Sequence, residues 1–327
     1  MKALQIVKYG EIKDSLAFNE VDKPSVQAVD VLIEVKAAAI NPIDKSIILG
    51  NLHGLIPIPF PSTSAYDVSG IIVEKGADVT KLEIGDLVYA RVPQEQMGTI
   101  AEYVPVNNMA VSKKPGNISF EEAASIPLAG LTAFQSLEHV GIKENDKILI
   151  HAGSGGVGSF AIQYAKAKGA YVYTTTSTGN VKWVKELGAD RVIDYKTEDY
   201  KTIVKDADIV FDTLGKNYTL EAFEVVKKGG KVVSVVGPID EESAKMFGMA
   251  DYKLPEELAQ LISEKGASYK FIFMHPNGVH LGQIKSLIED EKIKPIIDKV
   301  YPFNESIEAF AHLATGRAKG KIVIKIN

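Results

Sequence analysis

The sequence predicts an α/β chain of two parts, a mostly β domain interrupted by a doubly wound parallel sheet, and three observations carry this. Before about Glu121 the chain reads as short β-branched or alternating runs broken by turn residues, with no helix of convincing period. From Lys147 strands and helices alternate in the rhythm of βαβ units. After Met274 that rhythm stops. The 327 residues are long for one small domain. We expect an outer domain at 1–123 and 275–327, with the inserted domain at 124–274.

In order, the early strand runs are 3–7, 31–38, 71–74, 87–90 and 100–106, punctuated by Lys23-Pro24, Gly85-Asp86 and Pro105. A helix over 118–137 is expected to be capped by Ser119, with Glu121 and Glu122 in the first turn facing the positive end of the dipole. The parallel strands are 147–151, 170–175, 191–194, 209–211, 231–236 and 270–273. Helices between them begin near Val157, Gly179, Thr197, Tyr218 and Pro255, and Gly169 and Gly188 follow two of them as left-handed caps. Helix 279–290, strand 299–301, helix 304–315 and strand 321–325 then return to the β-rich domain.

Composition narrows the function classes. With 46% hydrophobic and 24% charged residues the chain has an ordinary globular balance. Its net charge of −5 argues against nucleic acid as a partner, because phosphate binding wants a basic face. There is no cysteine, which excludes disulfides, thiolate nucleophiles and sulfur-ligated zinc. Charges at Lys2, Lys8, Glu11, Lys13 and Asp14 precede no apolar run long enough for a signal peptide or a membrane span, so a cytoplasmic protein is expected.

The strongest chemical signal is Ala152-Gly153-Ser154-Gly155-Gly156-Val157-Gly158, between an apolar strand and an apolar-periodic helix. Gly153, Gly155 and Gly158 fit G-x-G-x-x-G, the dinucleotide-binding turn whose helix N-terminus favours phosphates. Glycine clusters also make plain turns, but the second strand and helix follow at the right distance. An NAD site usually has Asp or Glu at the end of that second strand. Here the stretch is Thr174-Thr175-Thr176-Ser177-Thr178-Gly179-Asn180-Val181-Lys182, without an acid. Hydroxyls and a cation suit a 2′-phosphate, so NADPH is the expected cofactor and Ser177 and Lys182 its candidates. The plain alternative is a helix cap at Ser177 and a solvated Lys182.

With these residues in hand the chain resembles the medium-chain dehydrogenase/reductase superfamily, in its zinc-free quinone oxidoreductase and enone oxidoreductase branch. The likeness spans nearly the whole length through residues 37–44, 66–72, Gly85-Asp86-Leu87-Val88-Tyr89, Ala101-Glu102-Tyr103, 129–133, 152–158, Leu187-Gly188-Ala189-Asp190 and Gly320-Lys321-Ile322-Val323. It implies a GroES-like domain carrying an inserted Rossmann domain, NADPH as cofactor, a small quinone or enone as substrate, and often a homodimer joined along a sheet edge. Runs 231–236 and 270–273 are apolar enough for such an edge, or for burial. Zinc-dependent relatives carry an early cysteine and Gly-His-Glu where this chain has Ala65-Tyr66-Asp67, so no metal is expected. His53 alone reads as a loop residue.

By the same resemblance Asn41 belongs beside the nicotinamide and Thr132 near its ribose, while Tyr195 and Arg317 neighbour the adenosine phosphate. Phe271 and Phe273 join the cofactor-binding candidates together with Ser154, Gly156 and Val157. Each has a plainer role open to it: Asn41-Pro42 is a good turn, Tyr195 ends a strand, and Arg317 is a helix C-terminal cation. The branch often has an aromatic residue where Lys45 stands and Gly where Ala65 stands, which bears on substrate choice. Asn41, Tyr66 and Lys45 are the candidate catalytic residues. None has a motif that makes it a proton donor, so solvent is the expected proton source. An enoyl-thioester or alkenal reductase, and a non-catalytic NADPH-binding redox sensor, are the alternatives.

Overall fold

The structure, a computed structural model, describes residues 1–326. It divides into one unit of Met1–Leu131, His275–Glu291 and the stretch from Pro295, and a second of Thr132–Met274 with Lys292–Lys294.

In the first unit a seven-stranded sheet runs Ile297–Pro302, Lys321–Lys325, Asp30–Ile40, Asp67–Lys75, Leu87–Arg91 and Val111–Lys113, with Tyr103–Asn107 also paired to Asp30–Ile40. Leu16–Glu20, Lys2–Ile6 and Ser62–Thr63 form a second, three-stranded sheet, whose Leu4, Ile6 and Leu16 join the core of the first. The closing strand is antiparallel to the central one, with Ile322 opposite Ile40 and Lys325 opposite Ala37. Alternation along these strands buries Val31, Ile33, Val35, Val68, Ile72, Val88 and Ile322 in one core. Full burial of such a side chain stabilises by about 1.5–3 kcal/mol.

Two expectations are corrected here. The β-rich segment does contain helix, Ile12–Ser15 and Pro42–Ile48. Asn41 is extended and caps the second of these, Pro42 opens it, and Asp44 at the third position accepts the Asn41 N–H at 2.7 Å. The helix expected over 118–137 is two, Phe120–Ala124 and Pro127–His139. Pro127 has no N–H to continue the first, and at a helix start that loss costs nothing. The expected cap holds: Ser119 Oγ accepts the Glu122 N–H at 3.1 Å and Glu122 Oε2 accepts the Ser119 N–H at 2.7 Å.

The second unit is a six-stranded parallel sheet ordered Arg191–Asp194, Tyr171–Thr176, Lys147–Ile150, Ala207–Asp212, Val226–Ser234 and Ser268–Phe271. Counted along the chain this is the doubly wound order, with its switch point between Lys147–Ile150 and Ala207–Asp212. Leu149, Ile193, Val210, Phe223 and Leu258 share one of its cores. The run expected over 231–236 is strand only as far as Ser234, where it is interior and paired on both sides, and of the two candidate runs the edge belongs to Ser268–Phe271. That strand ends before Phe273, and the helix expected near Thr197 begins at Tyr200, where Asp199 accepts the Lys201 N–H. Among the described residues no helix is long and apolar enough to cross a membrane.

Candidate functional site

In the second unit the glycine-rich turn links Lys147–Ile150 to the helix Gly156–Ala167 at the carboxyl end of the sheet. The first intrahelical bond runs from Ser159 N–H to Gly155 O, so the N–H groups of Gly156, Val157 and Gly158 have no acceptor inside the helix. Gly153 N–H is tied to Thr175 O at 2.9 Å, holding the turn to the neighbouring strand. A Cβ on Gly153 would stand 2.2 Å from Thr174 Oγ1, and one on Gly158 would stand 2.3 Å from Ala152 O. At Gly155 the nearest atom would be Ala152 O at 3.5 Å, which leaves that side open. Ser154, Gly155, Gly156 and Val157 are half-buried. An open backbone cradle with three unpaired N–H groups fits a dinucleotide pyrophosphate.

The second strand ends at Thr176, where Tyr195 N–H donates to Thr176 O at 3.1 Å. Ser177 accepts from Asn180 Nδ2 at 3.2 Å and does not cap the turn it precedes, while Lys182 is exposed on the helix Val181–Glu186. The acid opposite Thr176 in register is Asp194. Its carboxylate is held low by the Thr178 hydroxyl and by the Lys196 N–H at 3.1 Å, so it is engaged within the loops. Ser177 thus follows this strand end directly, Tyr195 (56% exposed) is tied to it through its backbone, and Lys182 lies on the helix that comes next. Thr132 is buried on its helix. Phe271 is buried, its N–H on Asp240, and Phe273 packs edge-on against Phe247 with centroids 5.2 Å apart.

In the first unit Asn41 and Tyr66 meet in a buried polar cluster. Asn41 Nδ2 donates to Asp67 Oδ2 at 2.9 Å, and Asp67 Oδ1 accepts the Leu128 N–H at 2.7 Å. Lys321 Nζ lies 3.1 Å from Asp67 Oδ2 and also donates to Asn41 Oδ1. The Tyr66 ring sits 4.5 Å from the Arg91 guanidinium carbon, its hydroxyl buried without a partner. Burial, with the nearby Asp44, pushes that phenol well above its ordinary range. Asp44 itself is pushed up to about 7, chiefly by burial and further by Asp67, against the opposing Asn41 N–H, Lys321 and Arg91. Its Oδ1 is buried and unpartnered. Lys45 is half-buried on the same short helix. Arg317 is exposed beyond the helix Ser306–Ala314, and exposed His53 turns its Nδ1 to Gly50 O at 2.9 Å.

From the sequence, Asp44 and Asp67 are as well suited to pinning loops by hydrogen bonds as to doing chemistry, and neither Lys321 nor Arg91 has an assigned role. The one signal for Lys321 was its place in Gly320-Lys321-Ile322-Val323.

Comparisons with known proteins agree with this architecture. A family model described as an alcohol dehydrogenase GroES-like domain matches residues 27–116, and one described as a zinc-binding dehydrogenase matches residues 187–324. The 2-methylene-furan-3-one reductase of Solanum lycopersicum is 35% identical over 99% of this chain and 79% of its own. The chloroplastic NADPH-dependent alkenal/one oxidoreductase of Arabidopsis thaliana is 34% identical, with the same coverage. The quinone oxidoreductase structure from Coxiella burnetii superposes with a TM-score of 0.88 at 32% identity, covering 100% of this chain and 99% of that one. The residues present do not fit a zinc ion: the ammonium of Lys321 already stands between Asn41 and Asp67. No group of three metal-ligating side chains occurs among the described residues. The chain belongs to the medium-chain dehydrogenase/reductase superfamily, in its quinone and enone oxidoreductase branch.

Proposed function

We propose that this protein is a zinc-independent, NADPH-dependent reductase of quinones or other α,β-unsaturated carbonyl compounds. The observation that carries this is the open glycine cradle beside a strand end without a free acid. The names of the tomato and Arabidopsis relatives support the acceptor class, and the latter's name supports NADPH.

The bound dinucleotide would supply a hydride to an electrophilic carbon of the conjugated carbonyl. Backbone N–H groups of Gly156, Val157 and Gly158 hold the pyrophosphate, with Gly153, Ser154 and Gly155 shaping the turn. Ser177, Lys182, Tyr195 and Arg317 serve the adenosine phosphate, and Thr132, Phe271 and Phe273 the rest of the cofactor. Asn41 orients the reacting groups, and Tyr66 and Lys45 contribute polar wall. Solvent supplies the proton. The Ser268–Phe271 edge, with one face of its backbone unpaired to any strand, supports a homodimer.

The test is loss of absorbance at the reduced-nicotinamide band with a quinone and a simple enone. Turnover with NADPH, little with NADH and no change on chelation are expected. Bound NADPH that no acceptor oxidises would instead identify a redox sensor.

A further inference from the structure

The register of the closing strand brings Lys321 beside the end of the central strand, where Asn41 begins its helix. The lysine ammonium carries three hydrogens and finds three acceptors: Ile40 O at 3.1 Å, Asn41 Oδ1, and Asp67 Oδ2 at 3.1 Å. Asp67 Oδ2 in turn accepts from Asn41 Nδ2 at 2.9 Å. The amide is therefore read at both ends by opposite charges, an ammonium at its oxygen and a carboxylate at its nitrogen. Rotating it by half a turn would set its oxygen against the carboxylate and its NH2 against the ammonium. In a site where Lys321, Asp67 and Asn41 are 6%, 0% and 2% exposed, neither contact is screened by water.

One Nδ2 hydrogen of Asn41 is taken by Asp67, and the second has no acceptor among the described residues. We infer that Lys321 is a positioning residue which, with Asp67, makes Asn41 a one-way hydrogen-bond donor to a carbonyl oxygen of the reacting ligands. This rests on the reading of Asn41 given under Proposed function. The oxygen is either the nicotinamide carboxamide of the cofactor or the conjugated carbonyl of the acceptor. An amide free to flip would meet hydroxyl and carbonyl ligands alike. A locked one selects for acceptors of hydrogen bonds and stabilises negative charge growing on the oxygen it meets. An ion pair alone would not need the Asn41 amide bonded to both its partners. The three-way contact is what points beyond a structural role.

The test pairs Lys321→Met with Asp67→Asn, so that neither charge is left buried alone and the Leu128 N–H keeps an acceptor. The pair is made in wild-type and Asn41→Ala backgrounds, with thermal unfolding as the folding control. In the ligand-free chain, solvent exchange of the Asn41 side-chain amide, followed by NMR, should speed up about tenfold or more when the charges are removed. In the wild-type background the charge removal should weaken either NADPH affinity or kcat/KM for an enone by about tenfold, and in the Asn41→Ala background it should add little. A loss confined to NADPH affinity identifies the carboxamide oxygen, and a loss confined to enone turnover identifies the acceptor oxygen. Equal losses in both backgrounds, or unchanged amide exchange, overturn the inference. If NADPH binds to the wild-type protein but neither a quinone nor an enone oxidises it, the proposed function fails, while the exchange and NADPH-affinity arms still decide the amide lock.

Discussion

Lys321 Nζ and Asp67 Oδ2 stand 3.1 Å apart with side chains 7% and 0% exposed, a buried ion pair between residues 254 positions apart in the chain. Removing one member leaves the other charged and without its counter-ion. Lys321→Met alone should therefore destabilise the protein by about 3–5 kcal/mol. Adding Asp67→Asn should restore most of that. Urea unfolding of the two variants checks it, and a double variant no more stable than the single one would contradict the ion-pair account.

The three fingerprint glycines separate stability from cofactor binding. Gly153→Ala and Gly158→Ala force a Cβ to within 2.2 Å and 2.3 Å of Thr174 Oγ1 and Ala152 O. Each should lower stability by about 1–3 kcal/mol. Gly155→Ala meets its nearest atom at 3.5 Å and should unfold like wild type. Its added methyl stands where the pyrophosphate must approach, so NADPH affinity should fall about tenfold or more. Melting curves and fluorescence titration of bound NADPH distinguish the two classes.

Asp44 gives the first unit a pH dependence of unusual sign. Burial raises its folded pKa to about 7, above the value near 3.9 expected of the unfolded chain. The native state then binds more protons than the unfolded state between about pH 4 and 7, and this group's contribution falls as pH rises through that window. Asp44→Asn keeps an acceptor for the Asn41 N–H and removes the titration. Relative to wild type, the variant should gain stability on going from pH 4 to pH 8. Parallel stability–pH curves for the two proteins would refute the shift.

His151 acts oppositely in the second unit. Its ring is buried edge-on to Tyr200 and Tyr218, at 4.9 Å and 5.4 Å, with Nε2 unpartnered. Burial lowers its pKa to about 4, against the pull of Asp212 and Glu221. Here the unfolded chain binds the extra proton. Stability is fully present above about pH 6.5 and is lost as pH falls towards 4. His151→Phe, which keeps an aromatic ring at that place, should flatten the acid limb of the unfolding curve between those values.

The sequence by itself determined what depends on neighbours along the chain. Strand and helix periods announced the parallel sheet, Gly153, Gly155 and Gly158 announced its turn, and Ser119 with Glu122 announced a helix start. The helix Pro42–Ile48 was within reach too, since Asn41, Pro42 and Asp44 form a start signature. Seven residues carry too little periodicity to outweigh the turn that Asn-Pro also makes. Other features depended on distant segments. Asp44 could be named from the sequence, but the burial that shifts its proton could not. That Ser268–Phe271 and not 231–236 forms the edge follows from pairing across crossovers, which no local pattern encodes. Lys321 is the clearest case: its motif was visible, yet only the antiparallel register of two strands at opposite ends of the chain sets its ammonium on the Asn41 amide. Local propensity specifies elements, and burial and long-range register specify which charges meet.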